Sequence, residues 1–172
     1  MINLKEEYSK LCTTKSDINE HLPTLTKYGK EVYHITEFGV RSGRSTIAFL
    51  YSDPIILVSY DLKPTKFKYK GFESPNFTLV KGNTLKIEID ETDLLFIDTD
   101  HTYTQLSGEL KLHGNKVRKY IIFHDTEIFG KVGMDKKQPG LLQAIYEFMG
   151  DTWKIKERFK NNNGLVIIER QQ

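Results

Sequence analysis

The chain has 172 residues, 38% of them hydrophobic, with 25 basic and 23 acidic side chains and a net charge of +2. That length suits a single domain with a buried core, and the near-balance of charge argues against avid nucleic-acid binding or a membrane-surface habit. Cys12 is the only cysteine, which excludes an intramolecular disulfide. With no apolar run near the roughly 18–20 residues of a membrane span and no secretory-type apolar core near Met1, a cytoplasmic location is expected.

Residues 1–30 read as a helical segment preceding the main body. Residues 3–12 place Leu4, Tyr8, Leu11 and Cys12 on one face. Ser16 to Glu20 resembles a capping box with Asn19 in the place of the usual Glu or Gln. Pro23 either ends that piece or opens the next. Glu31 to Glu37, rich in β-branched and aromatic residues, predicts a first strand.

Gly43 to Tyr51 predicts a short helix with Ile47, Ala48 and Leu50 inward, closed by Pro54. Ile55 to Tyr60 predicts a second buried strand that ends at Asp61. Residues 62–75 hold two prolines and Gly71 and read as a loop. Within it, Lys63 to Lys70 carries four lysines, either a solvated stretch or the rim of a site for an anionic substrate. Phe77 to Lys81 predicts a third strand, followed by the turn Gly82 to Thr84.

Asp93 to Asp98 predicts a fourth strand, residues 102–113 a helix along Tyr103, Leu106, Leu110 and His113, and Lys119 to His124 a fifth strand. Beyond Pro139, the stripe Leu141, Leu142, Ile145, Phe148 and Met149 is helical and stops at Gly150, with proline near the start and glycine past the end. Trp153 to Phe159 and Leu165 to Glu169 flank Asn161 to Gly164 as a hairpin. Alternating strands and helices predict an α/β fold, a Rossmann-like doubly wound sheet, mostly parallel with a C-terminal antiparallel hairpin. Ligands of such sheets gather at the carboxyl ends of the strands.

Three segments at those ends carry chemistry. The first is Glu37-Phe-Gly39-Val-Arg41-Ser42-Gly43-Arg-Ser45, a glycine-bearing turn into a helix. Gly39 and Gly43 allow backbone angles that a Cβ forbids, while the helix start offers free N–H groups and Ser42 and Ser45 add hydroxyls. The pattern is neither the dinucleotide fingerprint nor a P-loop. Asp61, 22 residues after Gly39, stands where an acid accepts hydrogen bonds from ribose hydroxyls. Together they favour a nucleoside cofactor without a pyrophosphate. An NAD-dependent enzyme is a further reading, which the missing fingerprint disfavours.

The second and third segments are Phe96-Ile-Asp98-Thr-Asp100-His101 and Phe123-His124-Asp125-Thr126. On neighbouring strands, Asp98 and Asp125 would bracket one divalent cation, with His124 or Asp100 as a further ligand. Carboxylates and water suit a hard ion such as Mg2+. His101 is a candidate general base, its ordinary pKa lying near neutrality. The plainer alternative is that these acids cap the next helix and that His101 and His124 are structural. His34, inside a strand, is expected to be a hydrogen-bonded core residue.

These segments resemble class I S-adenosylmethionine-dependent methyltransferases, in particular the compact branch that includes macrolide-sugar O-methyltransferases and cephalosporin-hydroxylase-like proteins. The resemblance runs from about Thr36 to the final hairpin. It implies a seven-stranded sheet ordered 3-2-1-4-5-7-6. It also implies that Glu37, Gly39, Arg41, Ser42, Gly43 and Ser45 surround the methionine part of S-adenosylmethionine, that Asp61 binds the ribose, and that Asn83 lies near adenine where the family usually has an acid. Asp98 and Asp125 match metal positions of the metal-dependent members, with His124 where several carry a second acid, and His101 matches their catalytic base. The implied activity is O-methylation of a hydroxylated small molecule or sugar, with no nucleic acid and no membrane as partner. Two readings stay open beside it. One is a cofactor-binding module without transferase chemistry; the other is a homo-oligomer, in which a second copy completes the substrate side that the short segment after Asp61 leaves bare.

Overall fold

The computed structural model describes residues 3–69 and 74–171. Helix α1 (Leu4–Thr13) is capped by Asn3, whose side chain accepts the Glu6 N–H. The Ser16 segment keeps one half of a capping box: the Asn19 side chain accepts the Ser16 N–H at 2.9 Å, while Ser16 Oγ takes the N–H of Ile18. A short 3-10 turn, Asn19–His21, leads into α2 (Leu22–Gly29), which Pro23 opens.

Strand β1 (His34–Phe38) starts three residues later than the sequence pattern predicts. Helix α3 (Arg44–Tyr51), β2 (Ile56–Asp61) and β3 (Phe77–Lys81) follow, with a 3-10 turn at Pro64–Lys66. The remainder of the 62–75 loop includes residues 70–73, outside the described residues. Strand β4 (Thr92–Ile97), helix α4 (Tyr103–His113), strand β5 (Val117–His124), helix α5 (Leu141–Met149) and the hairpin β6 (Trp153–Phe159) and β7 (Leu165–Arg170) complete the order. Pro139 does not enter α5. It precedes the N-cap Gly140 and pairs with Val132 in an isolated bridge. His34 is half-buried rather than fully internal, and its Nε2 has no partner among the described residues.

The seven strands form one sheet ordered β3-β2-β1-β4-β5-β7-β6. Strands β1 to β5 pair in parallel, and β7 runs antiparallel to both β5 and β6. Alternate residues of β4 serve opposite faces: Leu94 and Phe96 join the core beneath α2 and α3, and Leu95 and Ile97 the core beneath α4 and α5. Both faces are covered, which is why the strands read as continuous apolar runs rather than alternating ones. Strand order reverses between β1 and β4, and this reversal opens a crevice beyond their carboxyl ends. Among the described residues, no helix is long and apolar enough to cross a membrane.

Candidate active site

The bend after β1 is held from three sides. Gly39 has φ +85°, and a Cβ there would stand 2.0 Å from the Asp98 carbonyl oxygen. Its N–H donates to Tyr60 O, and the Asp98 N–H donates to Phe38 O, both at 2.9 Å. Asp61 is the staple: one carboxylate oxygen accepts the N–H groups of Val40 and Arg41 at 3.0 Å, and the other accepts Lys63 N–H at 2.7 Å. The remaining lone pairs stay open to a ligand. Gly43, at φ +90°, is the N-cap of α3, and the rings of Phe67 and Tyr69 pack where its side chain would be.

Glu37 lies wholly buried on β1. Ser45 donates to one carboxylate oxygen at 2.5 Å, and Thr46 and Ser59 donate to the other. Burial pushes its pKa up to about 7 against the pull of these hydroxyls. With both oxygens engaged internally, Glu37 lines neither of the two cavities at the glycine bend; its route to a ligand runs through Ser45, which lines the second.

The first cavity, of about 440 Å³, is lined by Gly39, Arg41, Asp61, Asn83, Asp98 and Thr99, among others. The space beside the glycine bend is therefore open. The Asn83 side-chain oxygen accepts Leu85 N–H at 2.9 Å. The floor rests on Glu109, a buried acid of α4 that the sequence reading missed. It accepts from Thr84, Thr99 and Gln105, all of which line the cavity. The signal was present: Glu109 lies three residues after Leu106, inside the apolar stripe of the helix. The second cavity, of about 620 Å³, includes Asp17, Arg41, Ser42, Arg44, Ser45, Lys66 and Lys68 in its lining. Arg41 and Asp98 belong to both cavities. Arg41 pairs with Asp17 from the N-terminal segment, another contact the sequence left unseen.

Asp98 and Asp125, at the ends of adjacent strands β4 and β5, converge with His101. One ligand atom from each lies within 4.8 Å of the others. His101 Nε2 is 2.7 Å from Asp125 and 3.4 Å from Asp98, and its ring stacks on Phe129 at 4.7 Å. Burial works against the His101 charge, but hydrogen bonds to the two carboxylates outweigh it and raise the pKa to about 9. His124 is buried as well. Its Nδ1 stands 3.4–3.5 Å from both carboxylates and its Nε2 faces the carbonyls of Asp17 and Asn162. Here too the carboxylates overcome burial and push the pKa up to about 10. His124 Nδ1 thus lies at ion-pair distance from both acids but makes no hydrogen bond among the described residues, and the group whose ligand atoms converge is Asp98, His101 and Asp125 rather than one that includes His124. Burial opposes ionisation of both acids, yet the two imidazoles hold them below the usual carboxylate range. Asp100 is exposed and stands outside this cluster.

Asp125 sits at φ +57°, a conformation that aspartate tolerates better than most residues. Its Oδ1 is buried without a partner among the described residues. An acid pair with an unfilled oxygen fits a hard divalent cation.

No protein-family model matches the chain, and no curated protein matches it in sequence. Solved structures do match in three dimensions. One is a Staphylococcus aureus chain assigned as a caffeoyl-CoA O-methyltransferase, with TM-score 0.70 and 15% identity over 99% of this chain and 93% of that one. A Bacillus cereus O-methyltransferase in complex with S-adenosylhomocysteine gives 0.64 and 15%, over 99% and 92%. The S-adenosylhomocysteine-bound methyltransferase PaMTH1 of Podospora anserina gives 0.62 and 16%, over 100% and 89%. At such identity the likeness establishes architecture. The chain has the fold of the class I methyltransferases that its glycine bend and acid–histidine segments resemble.

Proposed function

We propose that the chain is an S-adenosylmethionine-dependent O-methyltransferase acting on a hydroxylated small molecule, with a sugar or glycan unit as the class its sequence resemblance favours. One observation carries this reading: Asp98 is shared between a cofactor-sized cavity at the glycine bend and the cluster with His101 and Asp125. Asp61 receives the ribose and Asn83 lies by the adenine, while Gly39, Arg41, Ser42, Gly43 and Ser45 frame the methionine part. Glu37 positions that frame from behind.

In the reaction, the methyl carbon moves from sulfur to the acceptor oxygen. The C–O bond forms as the C–S bond breaks, sulfur keeps the electron pair, and the hydroxyl proton leaves to a base. Holding the two reactants together supplies most of the rate enhancement in such a transfer. His101, placed by Phe129 and oriented by Asp125, would be the base in its neutral form: a divalent cation held by the two carboxylates would replace the imidazolium charge they otherwise stabilise. Asp98 and Asp125 would hold a divalent cation such as magnesium, which supplies polarisation of the acceptor oxygen when bound.

A second reading, a cofactor-binding module without turnover, is favoured by one fact: His101 lines neither cavity at the glycine bend. Calorimetry with S-adenosylhomocysteine, followed by a methyl-release assay on hydroxylated acceptors, separates the two. Binding with turnover supports the transferase. Binding with no turnover on any acceptor supports the module, and no binding removes both.

A further inference from the structure

The second cavity has a wall whose chemistry is set by a short alternation in sequence. In Lys66-Phe67-Lys68-Tyr69 the aromatic rings are buried and the lysines exposed. Phe67 and Tyr69 occupy the space over Gly43, the Tyr69 hydroxyl donates to Glu7 at 2.9 Å, and Lys68 N–H donates to Ser42 O at 3.4 Å. The segment is thus anchored to the glycine bend by its apolar side. Both lysines line the cavity, Lys66 at the end of the 3-10 turn and Lys68 two residues on. Arg44, in the first turn of α3, joins them, held by a hydrogen bond to the Thr14 carbonyl.

The charges of this cavity do not balance internally. Four cationic side chains, Arg41, Arg44, Lys66 and Lys68, face two acids, Asp17 and Asp98. Asp17 is paired with Arg41, and Asp98 can offset only one of the three cations that remain. The excess therefore falls among Arg44, Lys66 and Lys68. A sulfonium cofactor with a zwitterionic tail carries net positive charge, so its arrival cannot neutralise them all. Clefts lined by one sign of charge raise the local concentration of ligands of the other sign, and lysine and arginine are the usual partners of phosphoryl and carboxylate groups.

Resting on the methyltransferase reading above, we propose that the Lys66–Lys68 side of the second cavity is the acceptor site, its Ser42–Ser45 side facing the methionine part of the cofactor, and that the acceptor carries an anionic group, phosphoryl or carboxylate, held by Arg44, Lys66 and Lys68. Its hydroxyl then points to Asp98, the wall common to both cavities.

The test uses the full chain saturated with S-adenosylhomocysteine and titrated calorimetrically with glucose, glucose 6-phosphate and glucuronate. At least one anionic sugar should bind about tenfold or more tighter than glucose, and Lys66→Gln/Lys68→Gln should remove that advantage. A preference for glucose 6-phosphate assigns the phosphoryl group, and one for glucuronate the carboxylate. Both lysines are exposed, so the variant keeps the fold. Its affinity for S-adenosylhomocysteine should stay within about twofold of the unmodified chain. Equal binding of the three sugars, or an unchanged preference in the variant, overturns the proposal while leaving the methyltransferase reading intact. A variant that instead loses cofactor affinity overturns it by assigning the lysines to the cofactor's carboxylate. If the unmodified chain fails to bind S-adenosylhomocysteine, the underlying reading falls and this one with it.

Discussion

Gly39 and Asp98 meet backbone to backbone across the point where strand order reverses, so closely that a Cβ on Gly39 would lie 2.0 Å from the Asp98 carbonyl oxygen. This contact joins the cofactor bend on β1 to the acid-bearing tip of β4. Gly39→Ala therefore meets both a clash and a φ of +85°. We expect a loss of stability on the order of 1–3 kcal/mol and a weakening of S-adenosylhomocysteine binding by tenfold or more. Thermal unfolding and calorimetry of the variant check both; an unchanged affinity would place the cofactor elsewhere.

Asp61 holds the same bend from the other side through two backbone N–H groups, those of Val40 and Arg41, and accepts a third, that of Lys63, within its own turn. Asp61→Ala strands those donors and removes the ribose acceptor. The expected cost is about 1–3 kcal/mol of stability together with lower cofactor affinity. Asp61→Asn keeps one oxygen and should fall between the two in chemical denaturation. If both variants bind S-adenosylhomocysteine normally, Asp61 is a structural staple only.

His101 and Asp125 lie 2.7 Å apart behind the shared wall. His101→Ala should lower methyl transfer by about 10²-fold or more, while binding of S-adenosylhomocysteine persists because His101 lines neither cavity at the glycine bend. Full activity in His101→Ala would exclude it as the base. Removing divalent cations with a chelator should lower turnover without loss of cofactor binding; turnover that survives removes the cation and leaves the rest.

The Glu37 carboxyl titrates near 7 in the native chain, against an ordinary value of 4.5. Between those values the native state holds a proton that the unfolded state has released. The contribution of Glu37 to stability is thus complete below about pH 4.5 and is lost as pH rises through about 7. Glu37→Gln cannot titrate. Its stability relative to the unmodified chain should rise across this window by about 3 kcal/mol. Denaturant melts at a series of pH values measure the difference, and a flat difference would show that Glu37 is ionised throughout.

Much of this architecture was legible in the chain because covered parallel strands are written as short apolar runs. Leu94 to Ile97 and Tyr120 to Phe123 announce β4 and β5, and the polar residues at their ends announce a site. The start of β1 was misplaced because Glu31 to Tyr33 share the strand's composition without its pairing. Pro139 stands just ahead of α5, as the spacing implies, and its bridge to Val132 ties the loop before the helix.

Local spacing and residue type were enough to announce the bend at Gly39 and Gly43, the acid at Asp61 and the two carboxylate-bearing strand tips, since each depends on a few consecutive residues. Long-range packing alone brought Asp17 to Arg41, sank Glu37 among three hydroxyls, placed Glu109 under the first cavity and set His124 Nε2 against the carbonyls of Asp17 and Asn162. Those outcomes join residues far apart in the chain, whose distances are set by how helices seat on the sheet. Burial then decides which charges remain and which groups still face a ligand.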